Sequence, residues 1–397
     1  MSGGVEAADA KAISHEAEAA NEKAISHEAE AAYDKAVGPE VANHAFANPE
    51  KEACLKELET KGKLSHDQWL TLLNTPSQAD AEAAARIACR IRDEQYGRRV
   101  FIRGLIEFTN ICRNDCYYCG IRKSSAKAGR YRLTREEILK CCREGWELGF
   151  RTFVLQGGED PWFTDQRMVE LIQAIKGEFP HCALTLSIGE REKESYLAFR
   201  RAGADRYLLR HETADAKHYR FLHPEEMSLE YRMNCLRELK ALGFQTGAGF
   251  MVGAPGQTIH TLAKDLMFLQ ELRPEMVGIG PFLPHHDTPF HDQPPGSVEL
   301  TLYLLSLVRI MLPDVLLPAT TALGTASRKG REAGILAGAN VVMPNLSPAS
   351  VREKYLLYDN KICTGNEAAE NLSALRASMS AIGFQVAIDR GDHKSIL

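Results

Sequence analysis

Three cysteines at Cys112, Cys116 and Cys119 have the residue type and spacing of a metal-cluster site. The C-x3-C-x2-C pattern puts three thiolates on one short loop, where they can hold one corner of a cubic cluster. A [4Fe–4S] cluster has four irons, so three thiolates leave one iron open. That iron can chelate S-adenosylmethionine, and an electron passed to the sulfonium then releases a 5′-deoxyadenosyl radical. The spacing therefore predicts radical chemistry on S-adenosylmethionine.

A zinc site and a set of inert buried thiols are the alternatives for the same motif. Structural zinc takes four ligands, and no further Cys or His follows closely after Cys119. The loop is also polar and charged, unlike the surroundings of buried structural thiols. The other seven cysteines are scattered, and no cysteine lies downstream of Cys363. We therefore expect one cluster per chain.

Small and polar residues follow the next strand-like segments. VLQGGED contains Gln156 and Gly157, and small residues there would let the backbone approach the methionyl amino group; a tight turn is the alternative. Thr185 stands near the end of the next predicted strand. LLRHETAD then brings Arg210 and Glu212 together, which are costly to bury unless they are paired or bind a ligand. An internal salt bridge between them is the alternative.

Further candidates lie closer to the C-terminus. Arg232 has the planar fork that could clamp a carboxylate, although it could equally be a surface residue. PATTALG offers the hydroxyl groups of Thr320 and Thr321. Tyr355 and Tyr358 follow the last predicted strand, and each is as consistent with a core or lid position as with substrate contact.

The segments that must position these residues alternate between strand-like and helical patterns after residue 98. Such alternation predicts an α/β fold, a parallel (β/α)8 TIM barrel with its chemistry at the carboxyl ends of the strands. A partial barrel or a doubly wound sheet is the alternative. The predicted strands are Val100–Thr109, Thr152–Gln156, Ala183–Ile188, Arg206–Arg210, Gln245–Val252, Val277–Pro281, Val315–Thr320 and Asn340–Met343.

The remainder of the chain divides by composition. KAISHEAEAA occurs twice, at 11–20 and 23–32, in a segment rich in Ala and Glu that we expect to be disordered or loosely helical. Ser77, Asp80 and Gly97 predict the start and end of one clear helix. We expect a repeat extension at 1–48, N-terminal helices at 49–98, the barrel at 99–350 and a C-terminal helical segment at 351–397.

Charge and hydropathy exclude several classes of function. The net charge is −5 with no basic tail, which argues against nucleic-acid binding. No run of 18 apolar residues predicts a transmembrane helix, and no signal or transit peptide is evident. We therefore expect a cytoplasmic protein without a membrane partner.

Several motifs together resemble HydE, the family of radical S-adenosylmethionine maturases of [FeFe]-hydrogenase. They are EFTNICRNDCYYCGIR, YLLRHETAD, TGAGFMVGAPGQT, VGIGPFLPHHDTPF and PATTALGT, and the resemblance covers roughly residues 50–365. The cysteine motif is shared by the whole superfamily, whereas the combination of RHET, PATTALGT and GIGPFxPHxDTP is much more selective. Biotin synthase and methylornithine synthase are nearest in kind.

The resemblance implies a role in building the di-iron subcluster of the hydrogenase H-cluster. It implies a small organometallic or amino-acid-derived substrate supplied by HydG, a product passed toward HydF, and an electron donor such as ferredoxin or flavodoxin. It also implies roles for single residues: Cys112, Cys116 and Cys119 bind the [4Fe–4S] cluster, Gln156, Glu212 and Arg232 contact S-adenosylmethionine, Arg210, Thr320 and Thr321 form an anion-accepting floor, and Tyr358 helps to close the cavity.

The chain departs from the family pattern in one place. Some HydE proteins carry an accessory cluster on three further cysteines, whereas Cys363 has no companions here. Two other functions stay open: a radical mutase or sulfur-inserting enzyme of the methylornithine synthase or biotin synthase kind, and a non-enzymatic iron–sulfur carrier. A biotin synthase would need ligands for a sulfur-donating cluster inside the barrel, and no extra cysteine stands at a strand end.

Overall fold

The computed structural model describes residues 48–362 and 369–396. The duplicated N-terminal segment and Cys363 lie outside these ranges. The helices are α1 (Pro49–Lys61), α2 (His66–Leu73), α3 (Gln78–Tyr96), α4 (Arg135–Glu147), α5 (Asp165–Glu178), α6 (Lys193–Ala202), α7 (Ala216–Leu222), α8 (Leu229–Ala241), α9 (Ile259–Leu272), α10 (Val298–Met311), α11 (Thr321–Ala326), α12 (Gly330–Leu336), α13 (Ala349–Arg352) and α14 (Leu372–Ser380).

The strands are short and parallel, and six of them form one sheet in the order β2-β3-β4-β5-β6-β8. Helices separate most of the successive strands of this sheet along the chain. The strands are β1 (Arg99–Ile102), β2 (Gly104–Thr109), β3 (Thr152–Gly157), β4 (Ala183–Ser187), β5 (Arg206–Leu208), β6 (Gln245–Ala248), β7 (Met251–Val252), β8 (Met276–Val277), β9 (Gly280–Pro281), β10 (Val341–Val342) and β11 (Gln385–Ala387).

Single parallel bridges continue the sheet and close it into a ring. Leu316 pairs with Met276 of β8, and Pro318 pairs with Val341 of β10. Asn345 then pairs with Leu105 of β2, whose amide donates a 2.9 Å hydrogen bond to the carbonyl of Pro344. Eight parallel positions therefore surround one axis, and the predicted (β/α)8 barrel is confirmed against the partial barrel and the doubly wound sheet.

Local sequence explains where the helices begin. Ser77 caps α3 and accepts a hydrogen bond from the amide of Asp80, whose side chain bonds back to Ser77; Gly97 ends the helix as predicted. Thr134 and Glu137 form the same reciprocal cap on α4. Within the described ranges, no helix combines the length and the apolar character needed to cross a membrane.

Some predicted elements are broken where distant segments interfere. The predicted strand Val100–Thr109 is two strands, because β1 pairs with β10 and β11 whereas β2 pairs with β3. The predicted strand Gln245–Val252 breaks at Gly249, which has φ of 153° and packs so closely on Gly278 that a Cβ atom would lie 2.0 Å from its carbonyl oxygen.

The C-terminal segment closes the bottom of the barrel. The prediction that residues 351–397 form a helical segment is wrong for the part that follows α14. After α14 it forms β11 and then passes beneath the strands. The fully buried Arg206 of β5 donates to the carbonyls of Arg390 and Gly391 at 2.6 and 3.0 Å, and to a carboxylate oxygen of Asp392 at 2.7 Å. Arg206 requires these acceptors because a buried guanidinium without partners is costly, so the segment folds under the barrel.

Removing the carboxylate of Asp392 should therefore destabilise the fold. Asp392→Ala leaves the buried Arg206 without its charge partner, and we expect the free energy of unfolding to fall by about 3 kcal/mol. Glu94→Ala removes an exposed partner of Arg90 and should cost no more than about 0.5 kcal/mol. Urea unfolding of both variants measures the difference, and equal losses would contradict the assigned role.

The same pair predicts a pH dependence. Burial raises the pKa of Asp392, but hydrogen bonds from Arg390 and the charge of Arg206 outweigh it, so the net shift is downward. The stabilisation is therefore complete above the unfolded pKa of about 3.9 and is lost as the pH falls through the lower folded value. The difference between the wild type and Asp392→Ala should shrink in acid.

Candidate active site

The three cysteines lie on the loop that follows β2 at the carboxyl end of the barrel. Cys112, Cys116 and Cys119 are half-buried, and the amide of Cys119 donates a 3.2 Å hydrogen bond to the carbonyl of Cys116. All nine described cysteines have free thiols. The loop therefore presents three sulfurs from one turn of backbone, as the spacing predicts.

Arg130 holds the backbone of this loop in shape. Its guanidinium donates to the carbonyl oxygens of Asn110, Ile121, Arg122 and Ser125 at 2.6 to 3.1 Å. A planar group with five donors is suited to satisfying several carbonyls at once. The curvature of the cysteine loop is therefore set by protein contacts, and Arg130 was not identified from the sequence because an arginine ten residues past the motif has no distinguishing pattern.

The two glycines after β3 pack against the cysteine loop. A Cβ atom on Gly158 would lie 2.3 Å from the carbonyl oxygen of Ile111 and 2.8 Å from Cβ of Cys112. A Cβ atom on Gly157 would lie 2.8 Å from the methyl group of Thr109. Both positions need glycine so that the two segments can pack together. This packing is a structural reason for glycine, in addition to the predicted approach of the backbone to a cofactor.

The donor set fits a four-iron cluster better than a single ion. Within the described ranges, three or more ligand atoms of His, Cys, Asp or Glu come within 4.8 Å of one another in one group, which is His285, His286 and Asp359. The three cysteine sulfurs do not meet this criterion, so they are spread more widely. Zinc would hold its thiolates about 3.8 Å apart, whereas the thiolates of a cubic cluster each bind a different iron. Burial, with the nearby Cys112, raises the pKa of the Cys119 thiol to about 12, so a metal is needed to make it a thiolate.

A chain of charged groups runs from the strand ends toward the cysteines. Arg232 is buried, forms a short ion pair with Glu190, and donates to the carbonyl of Arg210 at 3.1 Å. The surface alternative for Arg232 is therefore wrong. Arg210 in turn donates to a carboxylate oxygen of Glu212 at 2.9 Å, so the internal salt bridge is present. The buried Nε of Arg210 has no partner among the described residues.

Two further carboxylates join this chain, and Glu190 was not predicted as a site residue. The amide of Glu190 donates to Glu159 at 2.9 Å, and Nε of Arg113, between the first two cysteines, donates to the other oxygen of Glu159 at 3.0 Å. Burial raises the pKa of Glu190, although the charge of Arg232 opposes it. The position of Glu190 just past β4 was a sequence indication of its place at the barrel mouth.

Two threonine hydroxyls inside the barrel have no hydrogen-bond partner among the described residues. They belong to Thr185 and Thr320. The alternate residues Leu184 and Leu186 join the hydrophobic core, so Thr185 faces the barrel interior. Thr320 precedes α11 without capping it, and a Cβ atom on Gly280 would lie 2.7 Å from its hydroxyl oxygen. Thr321 is the half-buried first residue of α11.

The segment after α13 crosses the mouth of the barrel. Tyr355 is buried and accepts a 3.4 Å hydrogen bond from the amide of Gln156, while Tyr358 is half-buried. Lys361 forms a short ion pair with the fully buried Glu107 of β2. Neither Lys361 nor Glu107 was predicted, because a lysine near the end of the chain carries no local mark of burial.

A second group of polar side chains fastens this segment from outside. Asp359 accepts hydrogen bonds from the ring of His286 at 2.7 Å and from its backbone amide at 2.8 Å, and the ring of His285 lies 3.8 Å away. Nδ1 of His285 already accepts the amide of Asp287. The two hydrogen bonds from His286 to Asp359 secure the crossing segment to the 285–287 loop.

Gly158 provides a test of how the cysteine loop is positioned. Gly158→Ala would force a Cβ atom into Ile111 and Cys112, with a strain of about 1–3 kcal/mol. We expect the reconstituted protein to lose most of its iron and its reduced cluster signal while staying folded. Gly177→Ala, in α5 with open space around it, should keep both. Cys116→Ala should abolish the signal, and full iron content in Gly158→Ala would contradict the packing argument.

Comparisons with known proteins agree with this geometry. A family model described as the radical SAM superfamily matches residues 106–269. The [FeFe] hydrogenase maturase subunit HydE of Thermotoga maritima is 45% identical over 315 residues, which is 79% of this chain and 90% of that protein. A 3-methylornithine synthase of Methanosarcina barkeri is 32% identical over 302 residues, which is 76% of this chain and 85% of that protein.

Solved structures support the same fold. Methylornithine synthase PylB superposes with a TM-score of 0.75 at 29% identity, covering 84% of this chain and 97% of that one. The [FeFe]-hydrogenase maturase HydG superposes with a TM-score of 0.73 at 18% identity over 88% of this chain and 79% of that one, which shows the fold alone. With its cysteine loop, its barrel and its 45% identity to a HydE over most of both chains, the chain belongs to the HydE family of radical S-adenosylmethionine enzymes.

Proposed function

We propose that this enzyme acts in the assembly of the di-iron subcluster of the [FeFe]-hydrogenase H-cluster. The observation that carries the proposal is the 45% identity to the Thermotoga maritima hydrogenase maturase over 90% of that protein. The site supports it, because a cysteine loop, a charged chain and unpartnered interior donors converge on one barrel mouth. The substrate would be a small organometallic or cysteine-derived molecule.

Cys112, Cys116 and Cys119 would hold the [4Fe–4S] cluster, with one iron free to bind S-adenosylmethionine. When bound, the cluster and S-adenosylmethionine supply the 5′-deoxyadenosyl radical. The curvature of the loop supports this assignment, because Arg130 donates hydrogen bonds to the carbonyls of Asn110 and Ile121 on either side of the cysteines. Arg130 thereby fixes the backbone from which the three thiols project.

Gln156, Gly157, Thr185, Glu212 and Arg232 would bind S-adenosylmethionine. For Glu212 and Arg232, support comes from their nearness to the cysteines. Burial is the main cause of the raised pKa of the Cys119 and Cys116 thiols; the charge of Glu212 raises the pKa of Cys119 further, and the charge of Arg232 lowers that of Cys116. Thr185 presents a buried hydroxyl with no protein partner. Arg232 is also engaged by Glu190 and by the carbonyl of Arg210, so besides its contact with the cofactor it would keep these two residues in place.

Arg210, Thr320 and Thr321 would receive the carboxylate of the substrate, and Tyr358 would help to cover it. The unpartnered Nε of Arg210 and hydroxyl of Thr320 support this role, because buried donors without acceptors favour an incoming anion. Arginine with hydroxyl groups is a donor set suited to a carboxylate. Glu212 neutralises part of the Arg210 charge, which would limit the site to a single anionic group.

A radical mutase of the methylornithine synthase kind is the second candidate. The 32% identity to the Methanosarcina barkeri enzyme over 76% of the chain favours it over biotin synthase. The described cysteines outside the cluster loop are all buried in the hydrophobic core, so within these ranges none stands inside the barrel mouth to hold a sulfur-donating cluster. Retention of one cluster per chain fits the maturase and the mutase equally.

The surface around the cysteine loop suits an acidic electron carrier such as ferredoxin or flavodoxin. Residues 110–135 contain seven Lys and Arg residues and one Asp, whereas the whole chain has a net charge of −5. Exposed Lys123 lies directly on the loop, because its amide donates to the carbonyl of Asn114 at 2.8 Å. Complementary charge would speed association with an acidic donor. Transient contacts with HydG and HydF in the cytoplasm complete the proposed setting, and the free thiols are consistent with a reducing compartment.

Activation of apo-hydrogenase tests the proposed function. The anaerobically reconstituted enzyme is combined with HydG, HydF, S-adenosylmethionine and reduced flavodoxin, and hydrogen evolution is measured. We expect activation with the wild type and none with Cys116→Ala. Cleavage of S-adenosylmethionine without activation would overturn the maturase role, and formation of 3-methylornithine from a supplied amino-acid precursor would establish the second candidate.

The two unpartnered threonines separate cofactor binding from substrate binding. Neither Thr320→Val nor Thr185→Val removes a hydrogen bond within the described protein, so we expect both variants to keep their stability. Thr320→Val should retain cleavage of S-adenosylmethionine and bind substrate about tenfold more weakly, while Thr185→Val should weaken S-adenosylmethionine binding by a similar factor. Equal effects of both variants on both ligands would contradict the division of the cavity.

A further inference from the structure

Glu212 has an unusual backbone for its residue type. Its φ is 65°, in the left-handed region that non-glycine residues rarely occupy and that costs of order 1 kcal/mol or more. The amide of Glu212 donates to the carbonyl of Gly249 at 3.1 Å, and the amide of Thr213 donates to the carbonyl of His211 at 2.8 Å. This tight turn sends the carboxylate of Glu212 to Arg210 at the barrel mouth.

The two neighbours of Glu212 turn the other way, into the barrel wall. The hydroxyl of Thr213 lies 3.0 Å from Nδ1 of His218, whose other ring nitrogen lies 2.9 Å from the carbonyl of Pro255. Because that carbonyl can only accept, Nδ1 of His218 accepts the hydroxyl proton of Thr213. Thr213 is fully buried by these contacts, and it anchors the turn on one side.

His211 anchors the turn on the other side against a buried carboxylate on α9. The amide of Gly249 donates to Nδ1 of His211, so the proton of this neutral ring is on Nε2. That nitrogen lies 3.5 Å from Asp265, in contact with the carboxyl group but without a hydrogen bond to the described residues. Burial lowers the pKa of His211 to about 3, consistent with a neutral ring. The same Asp265 oxygen accepts the backbone amide of Ala214, the last residue of the turn.

The burial of Asp265 is not explained by a contribution to the stability of the fold. Asp265 is fully buried, and one of its oxygens has no partner among the described residues. Phe268, three residues further along α9, packs on His211 at 4.9 Å between ring centroids. Burying a carboxylate in such surroundings is costly, and an apolar residue would fit with less penalty. A role in holding the turn explains why a carboxylate stands there.

We propose that Asp265 is a positioning residue that holds the 211–214 turn from behind and thereby aims the carboxylate of Glu212 at the bound S-adenosylmethionine. This inference rests on the proposed role of Glu212 in binding that cofactor. Asp265 touches neither the cofactor nor the substrate. It acts through the amide of Ala214 and the adjacent ring of His211, so loss of these contacts should matter only while Glu212 can still bind.

A double-mutant cycle on the reconstituted enzyme tests the proposal. Asp265→Asn should raise the dissociation constant of S-adenosylmethionine about tenfold, and in the Glu212→Gln background the same change should cost less than about twofold. Amide hydrogen exchange of residues 211–214, measured without S-adenosylmethionine, should become faster in Asp265→Asn. Asp80→Asn, at a buried carboxylate far along the chain in α3, should alter neither quantity.

The outcomes distinguish the positioning role of Asp265 from the cofactor-binding role of Glu212. An equal loss from Asp265→Asn in both backgrounds, or unchanged exchange, would overturn the positioning role. If Glu212→Gln alone leaves the dissociation constant unchanged, the cofactor role of Glu212 is wrong, and the exchange data still decide whether Asp265 holds the turn. Should Asp265→Asn fail to fold, Thr213→Val loosens the same turn from the other side and is expected to show the same dependence on Glu212.

Discussion

The backbone pairing of Leu105 with Asn345 closes the ring of strands, and the candidate site depends on that closure. In an open sheet the strand ends would be spread along one edge. In a closed barrel all the carboxyl ends of parallel strands point to one mouth. Glu107 and Lys361, separated by 254 residues, can therefore form a buried ion pair there, and the segment that carries Lys361 is held across the mouth.

Arg206 lies at the start of β5 and Arg210 lies just after its end, and their surroundings show how the two ends of the barrel differ. Arg206 at the bottom has acceptors for its guanidinium from Thr152, Gln245 and the C-terminal segment, so its burial contributes to a stable closed end. Arg210 at the top has Glu212 but a buried Nε without a partner. An unsatisfied buried donor is costly in a folded protein, so the Nε of Arg210 supports the proposed ligand site at the mouth.

Much of the architecture was predictable because it depends on local sequence. Helix starts such as Ser77 with Asp80 are decided within a few residues, and the cysteine loop follows directly from β2. Predictions failed where distant segments compete for the same backbone. The strand expected at 100–109 divides because its first half pairs with β10 and β11 and its second half with β3. The C-terminal segment contains β11, whose partner β1 is distant in sequence.

The sequence alone determined the kind of chemistry, because three thiols within eight residues are brought together by their own loop wherever the chain folds. It also predicted a parallel α/β fold, since the alternation of strand and helix periods is local, whereas the closure of the ring depends on the distant pairing of Leu105 with Asn345. Only the tertiary structure decided that Arg232 is buried, that Arg210 pairs with Glu212, and that Lys361 reaches Glu107. Those outcomes depend on which distant side chains meet and are desolvated together, and no local pattern specifies the partners of a buried charge.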